Sequence, residues 1–554
     1  MNAVLVGDAL IGEVLIAAIP SATLIGSMGK PVSVEVHIST GLPSFTVVGL
    51  PDATVRESRD RVRAAVLSSG YIWPQKRITV NLAPSGVRKS GSGLDLPIAI
   101  GVLVATEVIE DTAIDQVAFV GELGLEGSLH HIPGVIALAD ACENKRLIVP
   151  FEDEDEALFV RSAESVYGAK SLSEVIDVIL ASRPWCRSSN GRGTESPRSS
   201  LTLLEEIRPE GSELTSLDVV ETLDMEEVKG QSLGRRALEV AAAGGHHLLM
   251  IGPPGAGKTM LAECLPGILP PLSHEQALEC TKINSTVGLV DGIDQFVRKP
   301  PFRAPHHTAS LVSMLGGGSW TIMPGEISLA TNGVLFLDEM GEFPVHLLEA
   351  LRQPLEEGVI RVSRARDSQT YPARFLLVGA MNPCPCGEGG APGSCRCSEA
   401  DRARYTRRLS APLLDRFDLV VALGRPTSNS LFAIEKGEGS LSIRERVCYS
   451  RRLALRRGVS SNSRLPKSVV GRPERFSKSA TDLLERYVSK GKITARGLHK
   501  VQRVAQTICD LAHFDILTNL EGTDEPIIEE AHVAEALALR SASGTLKGIG
   551  GTSR

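Results

Sequence analysis

Short apolar stretches with two different periods alternate through residues 21–182. The two-residue period of strands is found in PVSVEVHI, SFTVVGL and KRITVNLA, and a helical pattern in ATVRESRDRVRAAVLSSG, LDLPIAIGVLVAT and ALADACENK. The stretch therefore predicts an α/β or α+β domain. Residues 183–200 lose this periodicity and are rich in Ser, Gly, Arg and Pro, which is typical of a linker.

A second α/β pattern begins near residue 216, and the patterns beyond about 426 are helical, as in SATDLLERYVSK and ARGLHKVQRVAQTICDLAHF. We predict an α/β multidomain protein with an extension at 1–20, a first domain at 21–182, a linker at 183–215, a P-loop core at 216–426, a helical lid at 427–545 and a disordered tail at 546–554.

Composition and charge narrow the class of protein. The chain has 42% hydrophobic and 23% charged residues and a net charge of -7, values typical of a soluble globular protein. The first apolar segment contains Asp8 and Glu13 and has no basic start, so we expect neither a signal peptide nor a membrane span, and a cytoplasmic location. Charge is uneven, since residues 401–478 hold 18 Lys/Arg against 7 Asp/Glu. Such a basic region is either a solvated surface or a face that meets nucleic-acid phosphates.

A phosphate-binding loop is predicted in HHLLMIGPPGAGKTML, where an apolar strand is followed by a Gly-rich turn and a helix start. This context suits the G-x-x-x-x-G-K-[ST] motif, whose backbone N–H groups surround phosphate oxygens. We expect Lys258 to reach the β and γ phosphates of ATP and Thr259 to bind Mg²⁺. The predicted nucleotide-binding residues are Gly252, Pro253, Pro254, Gly255, Ala256, Gly257, Lys258, Thr259 and Asp338.

Polar residues end two further apolar strands. GVLFLDE ends in Asp338 and Glu339, which suit a Mg²⁺ ligand and a base that polarises water, although an exposed acidic turn would show the same motif. ARFLLVGAMNP ends in Asn382, whose amide could position the attacking water. Arg416 in APLLDRFDL and Arg496 in TARGLHKV are either structural ion-pair residues or groups that neutralise transition-state charge.

Four cysteines fall within CPCGEGGAPGSCRC. The spacing C-x-C-x₈-C-x-C supplies the four thiolates of a closed zinc site, and the glycines at 387, 389, 390 and 393 would allow a tight reversal. Reduced structural cysteines and redox chemistry are the alternatives, while lasting disulfides are disfavoured in a cytoplasmic setting. The hypothesis is a structural Zn²⁺ held by Cys384, Cys386, Cys395 and Cys397.

These motifs, in this order, resemble those of AAA+ ATPases and, more narrowly, of the magnesium-chelatase-related ComM/YifB family. The resemblance covers about residues 21–545 and is carried by VKGQSLGRRALEVAAAGGHHLLMIGPPGAGKT, KPPFRAPHHTAS, PGEISLATNGVLFLDE, NPCPCG and LLDRFD. It implies Walker A and Walker B roles for the loop and the Asp338–Glu339 pair. Asn382 would be sensor 1, Arg416 the arginine finger and Arg496 sensor 2. The adenine would lie against residues 228–231, and the active form would be a homo-oligomer, expected to be a hexamer.

Two inserted hairpins are predicted. LGGGSWTIMPGEIS at 315–328 has the glycines of a hairpin inside a helix, and GVIRVSRARDSQTYPARF reads as two strands about a polar turn. Alternation is expected to put Arg361, Arg364 and Arg366 on one strand face. In related ring ATPases such insertions face the pore and grip nucleic acid, which makes these arginines candidate DNA contacts. A solvated hairpin face is the alternative.

The first domain resembles the proteolytic domain of Lon-type proteases, which has the ribosomal S5 domain 2-like α+β fold. That family needs a serine activated by a lysine amine. Here the two positions fall on Gly93 and Ile136, Ser92 is one place off, and residues 124–144 contain no lysine. We therefore expect a domain that is inert as a protease.

The resemblance implies an ATP-driven DNA helicase that promotes branch migration on single-stranded or branched DNA during natural transformation. A chelatase-type motor that remodels a protein partner for metal insertion is the alternative. An ATP-dependent protease is a third hypothesis, which the missing dyad disfavours.

Overall fold

The computed structural model describes residues 15–87, 89, 91–180, 223–290, 296–318, 322–364, 367–389, 395–427, 437–514 and 525–540. They form two compact units. The first comprises residues 15–180 with the described parts of 277–297 and 318–324, and the second comprises the others. The predicted linker and C-terminal tail lie outside the described residues.

Residues 15–180, the main part of the first unit, form nine strands and five helices. The strands are β1 (Leu15–Ile25), β2 (Met28–Ser39), β3 (Ser44–Val48), β4 (Arg77–Ala83), β5 (Val117–Phe119), β6 (Glu122–Leu123), β7 (Leu129–His130), β8 (Arg146–Pro150) and β9 (Val166–Ala169). The helices are α1 (Ala53–Ser68), α2 (Asp95–Ala105), α3 (Val135–Ala141), α4 (Glu154–Ala157) and α5 (Leu172–Leu180). β1 begins before residue 21, so part of the predicted extension lies in the first sheet.

The strands of the first unit form a mixed sheet, a parallel sheet and a small hairpin. The mixed sheet has the order β1-β2-β4-β3, in which only β3 and β4 run parallel. The parallel sheet has the order β5-β8-β9, and β6 pairs with β7. The two-residue and helical periods of the sequence thus coincide with the observed strands and helices.

Helix α2 is the central element of the first unit, because all of its residues are buried. Gly101 permits close packing, since a Cβ there would lie 2.5 Å from Cγ2 of Val36 in β2. The helix also carries Asp95, fully buried and paired with Arg61 at 2.6 Å. Burial raises the pKa of the Asp95 carboxyl, and the hydrogen bonds from Arg61 and Ser58 oppose that rise.

The described residues from 223 onward form the remaining strands and helices, nearly all of which belong to the second unit. The strands are β10 (Leu248–Ile251), β11 (Phe302–Arg303), β12 (Gly316–Gly317), β13 (Met323–Pro324), β14 (Val334–Leu337), β15 (Val359–Arg364), β16 (Asp367–Pro372), β17 (Leu376–Met381) and β18 (Leu419–Ala422). The first helices are α6 (Ser232–Gly244), α7 (Lys258–Glu263), α8 (Leu265–Ile268), α9 (His274–Thr286), α10 (Leu311–Leu315), α11 (Glu326–Leu329), α12 (Val345–Ala350) and α13 (Arg352–Glu357). The others are α14 (Glu399–Thr406), α15 (Ala411–Leu414), α16 (Ser440–Arg456), α17 (Lys467–Val470), α18 (Lys478–Ser489), α19 (Ala495–Ala512) and α20 (Glu530–Ala538). Most of α9, together with β13, is assigned to the first unit.

A five-stranded parallel sheet with the order β11-β14-β17-β10-β18 forms the centre of the second unit. Alternate residues of its buried strands face opposite sides. Leu248 and Met250 belong to one apolar cluster, which also contains residues of α6, α16 and α19, whereas Leu249 and Ile251 belong to another. Because both faces are covered, the arrangement is a three-layered α/β core with a helical C-terminal region packed on one side.

Polar contacts join the helical C-terminal region to the end of the sheet. Asp418 pairs with Lys500 of α19 at 3.0 Å and with His246 at 3.2 Å, and His246 also contacts Thr507 at 2.8 Å. Burial alone would raise the pKa of Asp418, but Lys500 and His246 together lower it below its usual value. The carboxylate is therefore charged and paired, which fixes α19 next to the segment that precedes β18.

The two predicted insertions contain strands. β15 and β16 form an antiparallel hairpin in which Arg361 pairs with Thr370, in agreement with the predicted two strands about a turn. The short strands β12 and β13 lie between helices α10 and α11. Over the described ranges, no helix has the length and hydropathy required to cross a bilayer.

Candidate functional site

Three buried parallel strands end at the same edge of the sheet, and a polar segment follows each. Gly252 follows β10, Asp338 follows β14 and Asn382 follows β17. Since β14, β17 and β10 are adjacent, these segments lie side by side. The carboxyl edge of a parallel sheet is where α/β proteins commonly bind ligands.

The predicted phosphate-binding loop, Gly252–Thr259, connects β10 to α7. Gly255 and Gly257 have φ angles of 78° and 77°, in the left-handed region that favours glycine. No atom lies within 4 Å of the position that a Cβ would occupy at either glycine. The backbone is thus open on this side, as a loop that admits phosphate oxygens must be.

Lys258 is held inside this loop. Its ammonium group donates hydrogen bonds to the carbonyl oxygens of Gly252 at 2.7 Å and Pro253 at 3.1 Å, and to Oδ1 of Asn382 at 3.2 Å. Burial lowers the pKa of Lys258, while the charges of Asp338 and Glu339 oppose that change. Every partner in these three bonds is a neutral oxygen, so a phosphate would be a stronger acceptor for this cation.

Thr259 and Asp338 form an oxygen pair next to the lysine. The Thr259 hydroxyl donates to Oδ2 of Asp338 at 2.7 Å, and Oδ1 of the same carboxylate accepts the Glu339 N–H at 2.8 Å. Hydroxyl and carboxylate oxygens are hard ligands, which Mg²⁺ prefers. The donor set therefore fits the Mg²⁺ that was predicted for these two residues.

Glu339 follows Asp338 in a left-handed backbone conformation, with φ at 47°. Its carboxylate is 55% exposed and lies 3.5 Å from Nδ1 of His307. The His307 ring also contacts His306 and Phe343. His307 lies in KPPFRAPHHTAS, but the order of the motifs along the chain does not show that it contacts Glu339, since this contact depends on strand pairing.

The segment 228–231 lies against the phosphate-binding loop. The side-chain amide of Gln231 donates to the carbonyl oxygens of Ala256 at 2.9 Å and Gly424 at 2.6 Å. Val228 is buried in the apolar cluster around α6. The structure thus brings the predicted adenine-binding segment to the loop, and its contact with adenine remains a prediction.

Arg416 and Arg496 lie together and apart from Lys258. Arg416 forms an ion pair with Glu356, and its side chain is 15% exposed. Arg496 lies 3.6 Å from Asp415, and its positive charge, after burial, lowers the pKa of Arg416. Among the described contacts, neither guanidinium bonds to the phosphate-binding loop, and Nε of Arg416 is buried without a partner. The two arginines therefore form a group of their own.

The spacing of the predicted DNA-contacting arginines does not suit one strand face, and the structure describes the side chain of Arg361 alone among them. β15 extends from Val359 to Arg364, and its exposed positions include Arg361 and Ser363. Arg364 is three residues from Arg361, and in a strand with a two-residue period such positions fall on opposite faces. The side chain of Arg364 lies outside what the structure describes. Arg361 lies 3.5 Å from Glu357 and is 60% exposed. Arg366 lies outside the described residues.

The four clustered cysteines converge. Their Sγ atoms all lie within 4.8 Å of one another, and none forms a disulfide. Gly387 and Gly389, predicted to allow the chain reversal, have φ angles of 86° and 65°, while the other two predicted glycines lie outside the described residues. The four sulfur atoms therefore lie close enough together to bind one metal ion.

The first unit places apolar residues at both positions of the missing dyad. Ile136 is fully buried, and a Cβ on Gly93 would lie 3.3 Å from Val120. The neighbouring Ser92 donates a hydrogen bond to Glu122, a carboxylate and not an amine. The inertness of this unit as a protease stays a prediction. The resemblance of this unit to Lon-type proteases remains an expectation.

Three models of one family match successive parts of the chain. Residues 34–153 match "Subunit ChlI of Mg-chelatase", residues 224–431 match "Magnesium chelatase, subunit ChlI", and residues 437–540 match "Magnesium chelatase, subunit ChlI C-terminal". A shorter similarity links the chain to the magnesium-chelatase 67 kDa subunit of Heliobacterium mobile, 28% identical over 31% of this chain and 30% of that protein.

Similarity to other proteins extends over nearly the whole chain. YifB of Escherichia coli is 40% identical, over 93% of this chain and 95% of that protein. Competence protein ComM of Haemophilus influenzae is also 40% identical, over 95% of this chain and 97% of that protein. Rv2897c of Mycobacterium tuberculosis is 39% identical, over 94% of this chain and 97% of that protein. With this identity along almost its full length, the chain belongs to the ComM/YifB family of magnesium-chelatase-related proteins.

Proposed function

We propose that the protein is an ATP-hydrolysing motor that works on single-stranded or branched DNA as a homo-hexameric ring. One observation carries the ATPase part: Lys258, Thr259, Asp338 and Asn382 converge at the edge of the parallel sheet through bonds of 2.7–3.2 Å. A cation, a hydroxyl, a carboxylate and an amide in this arrangement suit a nucleoside triphosphate with Mg²⁺.

Each of these side chains has a separate role in the proposed reaction. Lys258 exchanges its carbonyl partners for the β and γ phosphates, while Thr259 and Asp338 hold the Mg²⁺, which neutralises phosphate charge when bound. Glu339 polarises the attacking water, and its contact with His307 fixes the position of the carboxylate at the edge of the site. Asn382 orients the same water through its amide.

The position of the two arginines supports a ring. Arg416 and Arg496 lie beside one another at Asp415, and their described contacts do not include the phosphate-binding loop of their own chain. We infer that the arginine which neutralises the developing phosphate charge comes from a second subunit. We infer that both arginines reach the nucleotide of the neighbouring protomer.

DNA is the proposed substrate for two reasons. Residues 401–478 carry 18 basic against 7 acidic residues, and Arg361 is exposed on the inserted hairpin. The relative in Haemophilus influenzae is named as a competence protein. We infer a role in DNA integration during natural transformation, with ATP hydrolysis coupled to helicase movement and branch migration.

ATPase measurements with DNA test the proposal. Purified protein should hydrolyse ATP faster with single-stranded or forked DNA than without DNA, and blunt duplex should stimulate less. Hydrolysis that none of these DNAs changes would contradict the DNA motor, and absence of hydrolysis in every case would contradict the ATPase.

A chelatase-type motor acting on a protein partner is the second candidate. The similarity to the magnesium-chelatase 67 kDa subunit of Heliobacterium mobile favours it. It predicts ATPase activity that DNA does not change and that a protein partner stimulates, so the same measurements separate the two functions.

A further inference from the structure

The cysteine cluster (Cys384, Cys386, Cys395 and Cys397) has the dimensions of a metal site. Sγ of Cys384 lies 3.4 Å from Sγ of Cys386 and 3.9 Å from Sγ of Cys395, and the last two sulfurs are 3.6 Å apart. A tetrahedron of sulfurs about zinc, with Zn–S bonds of about 2.3 Å, has edges of about 3.8 Å. These three separations are close to such an edge and too long for a disulfide bond of about 2.05 Å. The sulfur of Cys397 lies within 4.8 Å of the other three.

The surroundings of the sulfurs suit thiolates. Cys384 is fully buried, and its Sγ accepts the backbone N–H of Gly389 at 3.2 Å. Such an N–H donor orients a metal ligand and offsets part of the negative charge of the thiolates. Four cysteines leave no open position, so the geometry favours a structural ion and not a catalytic one.

The cluster also touches the phosphate-binding loop. A Cβ on Gly387, which lies between the two halves of the cluster, would be 2.5 Å from Cδ of Pro254. Cys384 is two residues beyond Asn382, and Glu388 pairs with Arg425 at 2.6 Å, just beyond the neighbouring strand β18. The cysteine loop therefore packs directly on the loop that surrounds Lys258 and is linked to the strands on both sides.

We propose that the cysteine cluster holds one structural Zn²⁺ and that this zinc-bound loop braces the phosphate-binding loop through the contact of Gly387 with Pro254. On binding, each thiol releases its proton and the sulfur donates a lone pair to the ion, with no change in oxidation state. The bracing role rests on the proposed nucleotide site, whereas zinc binding does not.

The metal content of the purified protein tests whether the cysteine cluster binds zinc. Full-length protein, purified without added metal and dialysed against EDTA, should retain about one zinc per chain by mass spectrometry of the elements. The double variant Cys395→Ser, Cys397→Ser should lose most of this zinc. Cys448→Ser changes a partly buried cysteine outside the cluster and should retain it. Wild-type protein that contains no zinc and has four freely titratable cluster thiols would overturn the site.

Gly387→Ala tests the bracing role of the loop, because it leaves all four cysteine ligands in place. The new methyl group meets Pro254, so zinc content should stay at the wild-type level while binding of MgATP weakens about tenfold to a hundredfold. Gly491→Ala is the matched control: Gly491 has φ at 64° but open space around its Cβ position. Equal nucleotide affinity in both variants would overturn the bracing role. Zinc-loaded wild type that binds no nucleotide would instead contradict the proposed function.

Discussion

The ammonium group of Lys258 lies 3.2 Å from Oδ1 of Asn382 and joins the phosphate-binding loop to the end of the adjacent strand. Both residues are candidates for contact with the terminal phosphate or its attacking water. Because the lysine is already bonded to an amide and two carbonyl oxygens, a nucleotide needs only to replace neutral acceptors with charged ones. The site is thus ordered before a ligand binds.

Glu339→Gln should separate nucleotide binding from hydrolysis. The substitution removes the base but leaves the Thr259–Asp338 pair, so MgATP should still bind while turnover falls by about 10²–10⁴-fold. Lys258→Ala should weaken binding and turnover together. Glu342→Gln, which changes another carboxylate of the same turn, should behave like wild type. Normal turnover of Glu339→Gln, measured by phosphate release, would contradict the assignment of the base.

Mixed rings should reveal whether Arg416 acts on a neighbouring subunit. Arg416→Ala and Lys258→Ala should each be nearly inactive as pure proteins, since loss of an arginine finger costs about 10³–10⁵-fold in rate. In a mixture, some interfaces combine an intact loop with an intact arginine, and hydrolysis should return. Mixing two samples of Arg416→Ala is the control. No recovery in mixtures that assemble normally would contradict action in trans.

The sequence predicts some parts of this site better than others, for physical reasons. Lys258, Asp338 and Asn382 could be located because each follows a buried apolar run, and parallel strands bring such ends to one edge. The grouping of Arg416 with Arg496 could not be predicted, because it depends on how α19 packs. The Asp418–Lys500 ion pair, between residues far apart in the sequence, fixes that packing.

The strand face of two arginines and a contact between two loops could not be predicted correctly from local sequence patterns. The single-face prediction for Arg361 and Arg364 ignored that a spacing of three reverses the face of a strand. The contact between Gly387 and Pro254 joins loops that only the folded sheet brings together. The element types thus follow from local periodicity, whereas the contacts between loops depend on tertiary packing.

Arg361→Ala should weaken the response to DNA without changing basal hydrolysis. Arg486→Ala is a matched control, because Arg486 is also 60% exposed and lies 3.6 Å from an acidic partner, Glu530. For single-stranded DNA, the dependence of log affinity on log salt should decrease by about 0.7 for each phosphate that the variant no longer neutralises. A triple substitution that includes Arg364 and Arg366 should show a larger decrease. Equal loss of basal and DNA-stimulated activity would mean that the hairpin is structural.

His247 should make the protein less stable in acid. Its Nδ1 accepts the backbone N–H of Leu377 at 3.0 Å, which requires an unprotonated nitrogen. Burial, aided by the nearby charge of Lys500 and opposed by Asp418, lowers the pKa of His247 from 6.5 to about 4. The unfolded chain therefore binds this proton at a higher pH than the folded chain. Stability should fall as the pH drops from about 6.5 to 4, by up to about 3 kcal/mol from this residue.

His247→Asn isolates this contribution, because the Asn side-chain oxygen can still accept the Leu377 N–H but does not titrate. Urea unfolding of both proteins should be followed from pH 7 to pH 4.5 with a probe in the second unit. The wild type should lose more stability than the variant over that window, since all other titrating groups are shared. Parallel curves for the two proteins would mean that protonation of His247 does not contribute to acid unfolding.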